Sequence, residues 1–368
     1  MSVLPVAVHR SAHPERGRSR RMVTVAALTL TVCAGTMSAG LTPAHADLTV
    51  TTTTVVGHQP SAVAFSPDGA LAYVPNQGSG SVSVITVATG RVSKTIGVGN
   101  YPTGVAVSPN GALVYVTNVD DGSVSVISAS TGTVSRTISV GYFPVGVAFS
   151  PDSAQAYVTN LFGDSVSVVN TGTGRVSATI RVADGSGPAG VAFSPNGAQA
   201  YVTNLFDNAV SVINVSTRKV VRTIRVGILP VAVVFSRDGA KAYVTNLRSR
   251  SVSVITVASG AVSSTLEVGY LPTGTALSPD GAQAYVANSG DNSVSVLALA
   301  TGATTTTLEV GNSPIGVAFS PDGKKAYVPN ADDGAVSVIN VLVATSVTPP
   351  VTLPPLPVRA PQRRTRSI

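Results

Sequence analysis

Ser108-Pro-Asn-Gly-Ala-Leu-Val-Tyr115-Val-Thr-Asn118 decides how this chain reads. Ser108-Pro-Asn-Gly111 is a tight turn, because proline presets its own φ and glycine accepts the left-handed region. Leu113-Val-Tyr-Val116 is then a short strand. On its N-terminal side Thr103-Gly-Val-Ala-Val107 is a first apolar strand. On its C-terminal side Val119-Asp-Asp-Gly122 is a loop, and Ser123-Val-Ser-Val-Ile127 alternates polar and apolar as a half-buried strand should. Ser130-Thr-Gly132 turns the chain into a fourth strand, Val134-Ser-Arg-Thr-Ile138, and Val140-Gly141 leads through Tyr142-Phe143-Pro144 into another copy of the same pattern. The Tyr-Val-x-Asn stretch starts at Tyr73, Tyr115, Tyr157, Tyr201, Tyr243, Tyr285 and Tyr327, with gaps of 42, 42, 44, 42, 42 and 42 residues. Four short antiparallel strands at a period of about 40 residues make one propeller blade. The expectation is therefore an all-β, seven-bladed β-propeller over residues 47–345.

Ring closure is also written in the chain. Leu48–Val55 reads as an outer strand that comes before the first full unit. The last unit supplies three strands (Ile315–Phe319, Ala326–Val328, Ala335–Ile339) and then runs into Pro349-Pro350. The early strand completes that last blade and pairs an edge that would otherwise stay open.

The formal charge of +7 is not spread evenly. Residues 1–46 carry five arginines and one glutamate, residues 359–368 carry four arginines, and the body between holds 15 basic against 16 acidic residues. A near-neutral body lacks the clustered cations that phosphate backbones require, so nucleic acid is not expected as a partner. Residues 1–46 read as a cleaved export signal: Arg16, Arg18, Arg20 and Arg21, an uncharged run from Met22 to Leu41, then Ala44-His45-Ala46 before Asp47. Ser19-Arg20-Arg21 resembles a twin-arginine start, although Val23-Thr24 is a poor continuation. The one cysteine, Cys33, falls in this segment, which leaves the rest without thiol chemistry. Residues 346–368 are proline-rich and basic and read as an extended, disordered tail.

The units resemble the bacterial and archaeal YVTN-type (YncE-like) β-propeller repeat, on Ser108-Pro-Asn-Gly, Tyr115-Val-Thr-Asn and Ser123-Val-Ser-Val-Ile. The likeness covers residues 56–340. It implies an exported propeller with a binding role and assigns no reaction. Ser153 stands where glycine is usual in the third unit, and Arg237 where proline is usual in the fifth.

One face of such a ring carries the repeated turns, whose sameness follows from backbone geometry. The other carries the second-to-third-strand loops and the crossovers between blades, and these vary. Of ten tyrosines and eight phenylalanines, seven Tyr belong to the motif and five Phe to first strands. The other six, Tyr101, Tyr142, Phe143, Phe162, Phe206 and Tyr270, all map to the variable face. Aromatics on loops of a rigid scaffold mark a contact surface. Packing down onto the sheets is the alternative. Arg248 and Arg250 are the cations there, able to clamp an anion or simply to be solvated. Loop aspartates at Asp120-Asp121, Asp164, Asp207, Asp291 and Asp332-Asp333 read as turn formers rather than calcium ligands.

None of the seven first strands holds Asp, Glu, His, Lys or Arg, and beyond residue 46 the sole histidine is His58. A serine nucleophile would have to use it, since a hydroxyl needs an adjacent base. The sequence alone points to no partner for it. The expectation is accordingly a secreted or envelope-associated, monomeric, non-catalytic scaffold without cofactor or metal. It would bind an unidentified protein or cell-envelope polymer through the variable face. The rival reading is a propeller hydrolase or lyase of lactonase or streptogramin-lyase type, and a weaker third is nucleic-acid binding.

Overall fold

A computed structural model describes residues 48–183 and 185–341; the export-signal and tail assignments lie outside them. The described residues form seven four-stranded antiparallel sheets around a central channel. In the second blade the strands run Pro102–Val107, Leu113–Asn118, Ser123–Ser128 and Thr133–Ser139, from the channel outward. Thr49–Val55 pairs antiparallel with Ala335–Asn340, so the first strand of the ring completes the last blade.

Second strands are buried along nearly their whole length, because each sheet lies between two others. The motif tyrosines fill those interfaces, four of them edge-on to a phenylalanine of the next blade. Tyr157 meets Phe193 of the following blade at 4.6 Å and 61°, and Tyr327 meets Phe65 across the closure at 4.9 Å and 67°. Such aromatic pairs add stability beyond the area they bury.

Third strands differ from expectation: they are buried on both faces, serines included, with Ser125 only 2 % exposed. The motif asparagine is the reason. Asn118 Nδ2 donates to Ser123 Oγ and Ser125 Oγ, both at 3.0 Å, while its Oδ1 accepts the Gly99 N–H at 3.2 Å. The same asparagine geometry ties crossover to blade at Asn160, Asn246 and Asn288. The alternating polar positions therefore satisfy one another internally rather than facing water.

The turn face is uniform because each turn is closed by its own side chains. Ser108 Oγ donates to Asn110 Oδ1 at 2.7 Å, and the Leu113 N–H donates back to Ser108 Oγ at 2.9 Å. Where aspartate replaces the asparagine, as at Asp152, the serine hydroxyl holds its carboxyl below the usual carboxylate range. Ser153 takes φ +62°, the region glycine fills elsewhere, and its Oγ accepts the Asn110 N–H at 3.1 Å. Outer-strand cations bind neighbouring blades: Arg136 donates to the Thr173 carbonyl at 2.7 Å and Lys94 to that of Thr131 at 3.2 Å.

Candidate functional site

At its loop-and-crossover end the channel widens into a cavity of about 270 Å³. Its wall is built from the first residues of the inner strands, with Leu161 from a second-to-third-strand loop. No acidic, basic or histidine side chain lines it. Ser61, Thr103, Thr273 and Thr275 bring hydroxyls from blades 1, 2 and 6, whereas Val145, Ala189, Val231 and Ile315 cover blades 3, 4, 5 and 7. Thr159 shows how the wall is fixed. Its Oγ1 accepts the Gly146 N–H at 2.9 Å and donates to the Ala189 carbonyl of the next blade at 2.5 Å.

A second ring stands just above, at the residue after each motif asparagine. Val119, Leu161 and Leu205 are buried there and form one apolar cluster with Val145 and Ala189. Gln77 and Ser289 are their polar counterparts in blades 1 and 6. The Gln77 amide donates to Thr103 Oγ1 at 3.1 Å, and the buried Ser289 hydroxyl has no partner. This polar-to-apolar division was legible in principle, as Ser61, Thr103 and Thr273 set against Val145, Ala189 and Val231.

The sequence-predicted residues fall into three groups. Tyr142, Phe143, Phe162 and Phe206 come together: Phe143 and Phe162 lie 4.7 Å apart, and Phe162 and Phe206 stack at 6.5 Å with planes 11° apart. Tyr142, Phe162 and Phe206 are exposed, but Phe143 and Tyr101 pack down on the apolar cluster below. The face therefore mixes the surface role and the packing role expected as alternatives. Tyr270 pairs with Arg250 elsewhere on the rim, the guanidinium 5.6 Å from the ring centroid. Arg248 is exposed and joins neither group.

Several loop aspartates turn out to hold the crossovers. Asp121, Asp291 and Asp333 each accept the backbone N–H of Asn100, Tyr270 and Asn312, at 2.6–2.7 Å. In blades 1 and 5, Ser79 and Ser249 do the same for His58 and Ile228. Among the described residues no group of three or more His, Cys, Asp or Glu could hold a metal ion. His58 is exposed in a groove of about 460 Å³ at the closure seam, which Asp332 and Asp333 also line. Its Cβ packs on Gly78, beside Gln77, which reaches the cavity wall. This neighbourhood is not visible along the chain, since Asp332 lies far from His58 in sequence and shares a groove with it only when the ring closes.

No curated protein sequence is significantly similar to the chain. Among solved structures, hydrazine synthase of Kuenenia stuttgartiensis superposes with a TM-score of 0.69 at 26 % identity, over 82 % of this chain and 98 % of the other. The Cps50 (Swd1) β-propeller domain of Myceliophteria thermophila gives a TM-score of 0.70 at 13 % identity, over 80 % and 100 %, which speaks to the fold alone. A family profile described as "Lactonase, 7-bladed beta-propeller" matches residues 23–352. That match overturns the expectation of a binding scaffold that works by contacting a partner through its variable face. The hydrolase alternative fits the match better, and on this ground the chain belongs to the lactonase seven-bladed β-propeller family.

Proposed function

We propose that this protein is a hydrolase of the lactonase propeller type that takes an uncharged cyclic ester at the channel mouth. The observation that carries the reading is the family match over residues 23–352. The cavity suits it physically: a wall without charges favours a neutral ligand, because an ion would lose its water without gaining a counter-charge. Opening the ring adds water to the carbonyl carbon, places the electron pair on the carbonyl oxygen, and then expels the ring oxygen, which takes up a proton. We assign His58 as the group that takes the proton from the attacking water. It is the one imidazole among the described residues, and a histidine changes charge near neutral pH.

Within the family we assign the chain to the YVTN type, on its seven Tyr-Val-x-Asn stretches, and we read residues 1–46 as an export signal. The test is proton release from a panel of γ- and δ-lactones, followed at constant pH. Turnover by the native protein and a loss of about 100-fold or more in His58→Gln are expected, the range a positioned proton acceptor supplies. Absence of turnover across the panel overturns the hydrolase reading, and full activity in His58→Gln overturns the assigned role.

A further inference from the structure

The near-neutral total of the body conceals a separation of charge between the two faces of the ring. Strand register places each ionisable side chain: third strands start at the mouth face and stop at the turn face, and fourth strands run back. On the turn face, Arg91, Arg175, Arg218 and Lys219 stand at the third-to-fourth turns, all exposed. Lys94, Arg136 and Arg222 lie further along their outer strands, but their heads reach the same face. There they donate to the carbonyls of Thr131, Thr173 and Ser259 in the turns of the following blades, at 3.2, 2.7 and 2.5 Å. Arg237, Lys241, Lys324 and Lys325 flank the first-to-second turns, which carry five aspartates. Among the described residues, eleven cations against five acids leave the turn face at +6. The mouth face has Arg181, Arg225, Arg248 and Arg250 against the seven loop aspartates, Glu267 and Glu309, which leaves −5. The cations also form an arc. The outer strands and turns of blades 1 to 4 hold seven of the eleven and no acid. Val341 follows the third strand of the last blade, and its N–H donates to the Lys324 carbonyl at 2.8 Å, so the chain leaves on the turn face. Beyond it come Arg359, Arg363, Arg364 and Arg366 and no acid.

We propose that the turn face docks on an anionic lipid bilayer, held by charge, with the channel mouth pointing away into solution. The cations are spread along one broad face rather than gathered in a groove, which suits an extended flat anion. The exposed aromatics among the described residues, Tyr142, Phe162, Phe206 and Tyr270, are all on the mouth face. The turn face therefore has no ring on which a nucleic acid could stack its bases. The same bilayer repels the mouth face, which sets the orientation. Each cation near such a surface strengthens attachment about fivefold, and the arginines beyond Val341 add to the same side. Docking of this kind depends on the fold and its charges and is independent of the hydrolase reading.

The ring closes within Thr49–Asn340, so residues 47–368, without the apolar run Met22–Leu41, serve in every arm. Co-sedimentation is measured with vesicles of phosphatidylcholine, with and without phosphatidylglycerol. Binding to the anionic vesicles alone is expected, lost at about 1 M salt, where the screening length is roughly 3 Å. Arg91→Ser, Arg175→Ser and Lys219→Ser together remove three exposed turn-face charges and should weaken it about 100-fold. Arg225→Ser with Arg248→Ser, on the mouth face, should leave it unchanged. Removing residues 359–368 should weaken it about tenfold or more. All five lysines of the chain are on the turn face, so anionic vesicles should slow their labelling by an amine reagent and spare the carbodiimide labelling of Asp207 and Glu309. Equal binding to neutral vesicles, equal losses in the two sets of variants, or protection of the mouth-face carboxylates instead of the lysines overturns the proposal. Tighter binding of a single-stranded oligonucleotide than of the vesicles also overturns it and assigns the face to nucleic acid. Salt-sensitive stacking of the protein on itself without vesicle binding overturns it in favour of the mouth face of a second copy.

Discussion

Replacing Tyr157 with phenylalanine should make the protein more stable. The ring is fully buried and packs edge-on against Phe193, an arrangement that phenylalanine reproduces. The hydroxyl is enclosed and has no hydrogen-bond partner. An unpaired buried hydroxyl costs about 1–3 kcal/mol relative to one in water. Removing the oxygen leaves a gap smaller than a methyl group, whose cost stays below roughly 1 kcal/mol. The balance is a gain of about 1 kcal/mol, or about 2 °C in Tm for a ring of this size. Tyr115, Tyr285 and Tyr327 have the same enclosed, unpaired hydroxyl. Each lies in a different blade, so the four gains should add to about 4 kcal/mol. Tyr157→Ala is the control in the opposite direction: losing the ring should cost about 3–5 kcal/mol. The assay is urea denaturation followed by circular dichroism, with the m-value checked for constancy. If Tyr157→Phe lost 1 kcal/mol or more at unchanged m, the hydroxyl would have a partner, such as a trapped water, and the reasoning would fail.

The same tyrosines predict an alkaline limit. Burial raises the phenol pKa of all seven motif tyrosines, that of Tyr285 to about 12. Below pH 10 folded and unfolded chains both keep these protons. Above it the unfolded chain loses them first, so stability should fall between about pH 10 and 12, and the fourfold Phe variant should resist that fall. Loss of ellipticity and growth of tyrosinate absorbance should coincide; tyrosinate formed in an intact fold would contradict this. Deleting residues 49–55 leaves Ala335–Asn340 as an open edge and should lower Tm by ten degrees or more on the order of several lost kcal/mol, with aggregation in light scattering; unchanged melting would refute the closure. Asn160→Ala frees the Gly141 N–H and the Ser165 and Ser167 hydroxyls together and should cost about 3 kcal/mol, read from the urea midpoint.

The architecture was determined by the sequence, because its causes are local and repeated. A turn such as Ser108-Pro-Asn-Gly111 closes on itself within five residues, and the tyrosine of each second strand needs only a neighbour of the same kind to pack against. Seven copies of one short-range rule specify a ring, and the unpaired strand at Leu48–Val55 specifies how it shuts. The buried serines of the third strands escaped the sequence, since their polar alternation looks the same whether water or Asn118 satisfies it. The character of the candidate site escaped it for a deeper reason. The lining of the channel mouth is contributed a few residues per blade, about 42 positions apart, and becomes a surface only when seven inner strands converge. His58 likewise shares a groove with Asp332 and Asp333 only where the two ends of the ring join. Function here depends on what the repeats do differently at one shared point in space, and only tertiary structure brings those differences together.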